Sequence, residues 1–433
     1  MLKRLWKDLR PIGSVDGTTR SRVTGWATGP GRIKVEALVN GVAVANCSPS
    51  MERLDVAATY PNRRKALRSG FSLDLPAGAI TDDGLAEVEV VARTTMPPFR
   101  RKTIGSFRAV GPELLRKLET VSPIAIRSPF PRDVTDLVLA LDPELGTDLP
   151  SEDGQRSFVE RLRQLLATPG VNALPPFAAY ARYLTHTYAH CQFVGRHFPA
   201  FNGLATEGAA DFNAKPNSIR ELFPIIHHLY VLRSHGVEGD FAEFGCFKGY
   251  SSAMLSFACK QLGMPMHIFD SFAGLPPSEG SGYQSGQYTG PIEEVRSNLR
   301  NFGAADIVTL HQGFFADSLQ RWRPDRLACL WMDVDLESSA RDLMVVAPAV
   351  DDRGAVFSHE CTASIFAGSR PESAPRLDNP IAPLLKAFED MQRPLSGHYV
   401  AGYTGAFWSH DAGVPVLRSE PLFDLVESLT KAN

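Results

Sequence analysis

The residues best suited to chemistry lie between positions 243 and 360. Glu243-Phe-Gly-Cys-Phe-Lys-Gly249 carries two glycines whose missing side chains let a backbone turn approach a ligand. Asp270 follows Gly245 by 25 residues, close to the roughly 20-residue distance at which nucleotide-binding α/β units offer a carboxylate to ribose hydroxyls. A pyridine-nucleotide enzyme would share that turn and acid, but the strict Gly-x-Gly-x-x-Gly fingerprint is missing. Farther on, Asp333 and Asp335 precede the pair His359-Glu360. Carboxylates and an imidazole in such a group can ligate a divalent cation or take a proton from a hydroxyl.

Both groups require strands that end where they begin. Ser218-Ile-Arg-Glu221 matches a capping box and predicts a helix running to Gly236. Gly239 to Gly245 reads as a strand, Tyr250 to Gln261 as the helix after it, and Met264 to Phe269 as a second strand with Asp270 at its tip. Leu327 to Met332 is an apolar strand delivering Asp333, and Gly354 to Ser358 delivers His359 and Glu360. A helix from Pro380 to Met391 and two short strands between His398 and His410 close an α/β domain. The Gly- and Ser-rich stretch Ser278 to Gly286 reads either as a lid over the site or as an idle loop. Trp408 and His410 read as core or rim residues.

Four further stretches occur in a fixed order: Phe269-Asp-Ser-Phe-Ala-Gly-Leu-Pro276, Gly286 to Leu299, Gln312-Gly-Phe-Phe-Ala-Asp-Ser-Leu319 and Trp331-Met-Asp-Val-Asp-Leu-Glu-Ser-Ser339. Together they resemble the macrocin O-methyltransferase family. The resemblance implies a Rossmann-like fold, S-adenosylmethionine as cofactor, and a divalent metal that orients a sugar hydroxyl. Carried over by position, Glu243, Gly245 and Gly249 would surround the methionine end of the cofactor, with Ser251 beside it at the helix start. Asp270 would take the ribose, and Gly313 and Phe314 would border the adenine, whereas Phe315 reads equally well as a core aromatic.

Asp333 matches the family's first metal-ligating aspartate, and Asp335 reads as a supporting residue that caps or orients the next helix. The family closes its metal site with two adjacent aspartates after the fifth strand, where this chain has His359 and Glu360. Magnesium prefers hard oxygen ligands, so an imidazole there shifts preference toward manganese, iron or zinc. Three readings stay open: Asp333, His359 and Glu360 as metal ligands, His359 as a general base acting with Asp333, or a structural His-Glu pair. The corresponding functions are an O-methyltransferase acting on a sugar or glycan precursor, or a binding or scaffold protein with a degenerate methyltransferase domain.

With 433 residues, 44% of them hydrophobic and 21% charged, the chain predicts several globular domains. We expect a β-sandwich module over 1–112, a mainly helical connector over 113–217 and the methyltransferase domain over 218–433. In the first, short alternating runs are bounded by turn residues, most clearly Lys34 to Val39, Asn40-Gly41 and Val42 to Val44, a β-hairpin. Gly25-Trp26, Val39-Asn-Gly41, Arg53-Leu-Asp55 and Gly70-Phe71 resemble a β-sandwich module attached to bacterial glycan-modifying enzymes, which implies a glycan-related setting. Trp26 reads as core rather than as a sugar platform, and the basic clusters at 63–68 and 100–102 as solvated loops.

A net charge of -3 gives no reason to expect nucleic acid as partner. No stretch approaches the roughly 18 apolar residues of a membrane span, and the basic start Met1 to Arg10 lacks the apolar core of a signal peptide. Leu2, Leu5, Trp6 and Leu9 would form one face of a short amphipathic helix that docks on its own protein, a membrane or a partner. The six cysteines, none in Cys-x-x-Cys spacing, read as reduced core thiols. His186, His190, His197 and His227-His228 lack the carboxylate or thiolate spacing of a metal site. A cytoplasmic protein follows, with a sugar-type acceptor and room for a homo-oligomer or a glycan-biosynthesis partner.

Overall fold

The computed structural model describes residues 10–19, 21–81, 85–95, 97, 99–120, 128–149, 151–199, 217–277, 283–361, 366, 380–409 and 419–431. The amphipathic face expected at Leu2 to Leu9, the Ser278 end of the expected lid, and His410 lie outside them.

The N-terminal strands β1 (Ile12–Thr18), β2 (Arg22–Thr28), β3 (Ile33–Val39) and β4 (Val42–Cys47) precede a short helix α1 (Leu54–Thr59). Strands β5 (Gly70–Asp74), β6 (Leu85–Thr94) and β7 (Arg101–Val110) follow. They form two antiparallel sheets, ordered β1-β2-β5 and β4-β3-β6-β7. Alternate residues of β3 are buried, as a sheet with one face on a core requires. Val23, Phe71 and Leu73 of one sheet meet Val35, Val88 and Val90 of the other. The expected hairpin is present, with Val39 paired to Val42 across Asn40-Gly41. Arg53 grips Asp55 with Nε and Nη2, at 2.8 and 2.6 Å, and reaches Asp16 with Nη1, so the Arg-Leu-Asp motif ties α1 to β1. Trp26 is half-buried and packs against Tyr60 at 5.5 Å between ring centroids.

Helices α2 (Pro112–Thr120), α3 (Arg132–Leu141), α4 (Leu145–Asp148), α5 (Glu152–Leu166) and α6 (Pro175–His197) come next. Their apolar stripes share one core with the α/β part: Val134, Phe158, Phe177 and Leu184 join Phe223, Phe241 and Met254. The α/β part begins with α7 (Ile219–Ser234), and continues through β8 (Asp240–Phe244), α8 (Tyr250–Gln261), β9 (Met266–Asp270), α9 (Ile292–Phe302), β10 (Val308–Gln312) and α10 (Phe315–Ser318). It ends with β11 (Leu327–Met332), α11 (Glu337–Asp342), β12 (Val350–Ser358), α12 (Ala382–Asp390), β13 (Leu395–Ala401), β14 (Thr404–Ser409) and α13 (Ser419–Lys431).

The seven strands run β10-β9-β8-β11-β12-β14-β13, with β14 antiparallel to both neighbours and the rest of the ladders parallel. This is the Rossmann-like, mostly parallel sheet expected from the alternation of strands and helices. The chain order reverses between β8 and β11, the place where ligands enter open α/β sheets. All six cysteines are unpaired, and five are buried. His227 and His228 are buried on α7; His227 lies 3.0 Å from the Tyr180 hydroxyl, and burial pushes both imidazoles down to about 3. Among the described residues, no helix is long and apolar enough to cross a membrane.

Candidate active site

The turn after β8 is built around Asp270. Its Oδ2 accepts from the amides of Cys246 and Phe247, at 2.8 and 3.1 Å, and its Oδ1 from Phe272 at 2.7 Å. Burial raises the Asp270 carboxyl against these three amides, which favour the charged form. Gly245 sits in the left-handed region at φ 83°, and a Cβ there would lie 2.0 Å from the Asp333 carbonyl oxygen. The glycine therefore brings the first turn against the end of β11. Gly249 precedes α8, and the Ser251 hydroxyl in its first turn donates to Glu243 Oε1 at 2.6 Å. Glu243 is wholly buried; burial pushes it up to about 8 although Ser251 and Ser252 favour its ionised form.

A second corner forms where β11 and β12 end. Asp333 follows β11, and His359 and Glu360 follow β12. His359 Nδ1 lies 3.2 Å from Asp333 Oδ1 and 3.3 Å from Glu360 Oε1, while its Nε2 lies 3.9 Å from Glu221 Oε1. These contacts are ion pairs rather than aligned hydrogen bonds. Burial alone would lower the His359 pKa; the charge of Asp333 and the contacts with Asp333 and Glu360 override it and hold the ring near 11. The second oxygen of Asp333 accepts from Asn217 Nδ2 at 3.2 Å. Glu221 is held in turn by the Ser218 amide at 2.8 Å and the Tyr403 amide at 2.9 Å. The capping box read from the sequence thus also steers a carboxylate toward the site.

Turn and corner open into one cavity of about 740 Å³. Of the residues expected in the site, Gly245, Ser251, Asp270, Phe314, Asp333, His359 and Glu360 line it. Glu243, Gly249 and Gly313 stand one layer behind: Glu243 through Ser251, Gly249 as the residue before α8, and Gly313 through its amide, which donates to the Asp270 carbonyl at 3.0 Å. Phe314 is well exposed, whereas Phe315 packs edge-on against Phe244 at 5.8 Å. Asn217, Tyr283, Tyr288 and Tyr403 also line the cavity and carry no sequence signal of their own. Asp335, expected only to support the next helix, lines it too; burial and the charges of Asp333 and Glu360 lift its carboxyl to about 7.

Backbone strain concentrates on this rim. Phe247, Tyr288, Asp335 and Glu360 line the cavity with φ between 49 and 62°. Each costs about 1–2 kcal/mol in an L-residue, so the surrounding structure holds them in place.

The donor set does not fit the divalent-metal site that the family resemblance implies. A histidine ligand offers a neutral nitrogen to the ion and its other N–H to an outer partner. Here one ring nitrogen contacts two carboxylates and the other faces a third. Magnesium would further require a near-octahedral set of oxygens. Among the described residues, no group of three or more His, Cys, Asp or Glu side chains is arranged to hold a metal ion. The expected ligands are brought together, but as an ion-pair cluster centred on the imidazole.

Residues 225–358 match the profile of the macrocin-O-methyltransferase (TylF) family. No curated protein sequence matches the chain. Among solved structures, the O-methyltransferase NovP is 24% identical, over 44% of this chain and 80% of that one, with a TM-score of 0.36. The calicheamicin methyltransferase CalS11 is 15% identical, over 55% and 93%, with a TM-score of 0.34. The Podospora anserina methyltransferase PaMTH1, solved with S-adenosylhomocysteine bound, is 15% identical, over 54% and 94%, with a TM-score of 0.32. The stretch 225–358 runs from within α7 to the end of β12 and carries Gly245, Asp270 and Asp333, and over it the chain is similar to the macrocin-O-methyltransferase family.

Proposed function

We propose that the protein transfers the methyl group of S-adenosylmethionine to a hydroxyl of a sugar or surface-glycan precursor. The observation that carries this reading is the single cavity joining the turn at Gly245 and Ser251 to the charged corner at Asp333, His359 and Glu360. In this proposal Gly245, Gly249 and Ser251, backed by Glu243, serve the methionine end, Asp270 the ribose, and Gly313 and Phe314 the adenine. Tyr283, Tyr288 and Tyr403 offer flat faces to a sugar ring, and the carboxylates accept from its hydroxyls.

Asp333 or Glu360 takes the acceptor's hydroxyl proton as the oxygen bonds to the methyl carbon. The carbon–sulfur bond breaks with its electron pair left on sulfur, and the proton then passes to solvent. Alignment and exclusion of water supply most of the acceleration. The same proposal divides the chain at about 112 and 217 and places it in the bacterial cytoplasm, in glycan biosynthesis. Its β module would hold the acceptor, a partner enzyme or a second copy.

Methyl transfer to a panel of nucleotide sugars and surface-glycan fragments tests the reading. Titration calorimetry with S-adenosylmethionine separates it from a scaffold with a degenerate domain, since absence of binding at millimolar cofactor would sink the enzyme.

A further inference from the structure

We propose that His359 takes the place of the divalent ion in the acceptor corner, so that methyl transfer needs no metal. This rests on the methyl-transfer reading above. The argument is geometric. The ring lies among the carboxylates of Asp333, Glu360 and Glu221, at 3.2, 3.3 and 3.9 Å, with contacts at both nitrogens. A ring whose two nitrogens both face carboxylate oxygens fills the place that a cation would take among them.

The cluster is also built from several sides. Glu221 is fixed by amides at the start of α7 and in the β13–β14 turn. Close approach requires glycine at position 402, where a Cβ would lie 2.3 Å from Glu221 Oε1. Asp333 is held by Asn217, and Glu360 points inward from a left-handed backbone at φ 62°. His359 itself keeps only 12% of its side-chain surface exposed and packs between Trp331 and Tyr403. Its position is therefore set before any ligand arrives, as a preorganised site requires.

In the transfer step the hydroxyl proton moves to Asp333 or Glu360 and from there to solvent, while His359, set between these carboxylates, holds them in place.

The test follows Mn²⁺ binding by electron paramagnetic resonance on the full-length, S-adenosylhomocysteine-loaded protein, alongside methyl transfer with EDTA or added Mn²⁺. The wild type should bind no Mn²⁺ below millimolar concentration and keep its rate in EDTA. His359→Asp restores an all-carboxylate corner and should bind Mn²⁺ at least about tenfold more tightly than the wild type. His359→Asn, neutral and of similar reach, should lose rate by about 10²–10³ without gaining Mn²⁺.

Stoichiometric Mn²⁺ binding by the wild type, or turnover abolished by EDTA and restored by metal, would overturn the proposal. Should His359→Asp fail to fold, the wild-type titration still decides. If no acceptor is methylated under any condition, the function falls, while the Mn²⁺ titration judges the His359 assignment separately.

Discussion

The two ends of the cavity use acidic residues in opposite ways. At the turn, Asp270 spends its carboxylate on three backbone amides, and its charge organises the loop that receives a ligand. At the corner, Asp333, Glu360 and Glu221 direct theirs at one imidazole delivered by a different strand. The first arrangement is complete within 30 residues of chain, whereas the second draws on the starts and ends of four elements. A charge satisfied by its own loop fixes a turn, while charges gathered from distant elements tie those elements together.

The substitution that breaks both ends at once should have the largest effect. Gly245→Ala forces a Cβ onto the Asp333 carbonyl at an unfavourable φ. We expect a loss of at least about 3 kcal/mol in urea unfolding, together with loss of S-adenosylmethionine binding; a variant of wild-type stability would show that turn and corner are not wedged together.

Asp333→Asn should act on the corner alone. The expected outcome is a fall in kcat of about 10²–10³, with cofactor affinity by calorimetry nearly unchanged. An equal loss of cofactor affinity would dissolve the distinction between the two ends.

Glu243 sharpens the comparison through pH. Its carboxyl lies near 8 in the folded chain against an ordinary 4.5, so the folded state binds the extra proton between these values. Stability should therefore be highest below about pH 4.5 from this group and fall as pH rises through 8. Urea midpoints of the ligand-free protein at pH 5 and pH 8.5 should differ by on the order of a few kcal/mol more for the wild type than for Glu243→Gln. Equal slopes would mean that Glu243 is ionised throughout.

Glu221→Gln should give the smallest effect, about 1 kcal/mol of stability and roughly tenfold in kcat. Restoration of stability but not rate by a different cap at Ser218 would separate its two duties.

The sequence disclosed what is local. Asn40-Gly41, the Ser218–Glu221 cap, the strand ends at Asp270 and Asp333, and the strand-helix alternation rest on neighbours in the chain. The rest of the corner depends on contacts that periodicity does not encode. Asn217 meets Asp333 across 116 positions, and Tyr403 meets Glu221 across 182. Asp335 follows an expected metal aspartate and so reads as helix support, yet its left-handed backbone turns it into the cavity. The resemblance likewise supplied an ion at His359 and Glu360, because a position carries over from a family while the direction of a side chain does not. The helices of 112–197 read as a connector because their stripes have the right period, but period alone leaves open which core they join.

The β13–β14 turn gives the C-terminal hairpin a duty beyond closing the sheet. Through Gly402 and the Tyr403 amide it acts as a latch on Glu221, and Glu221 faces the imidazole. Chain synthesis therefore completes the turn around Asp270 well before it completes the corner at His359. A chain ending before residue 395 would keep the residues of that turn and lose the latch on Glu221.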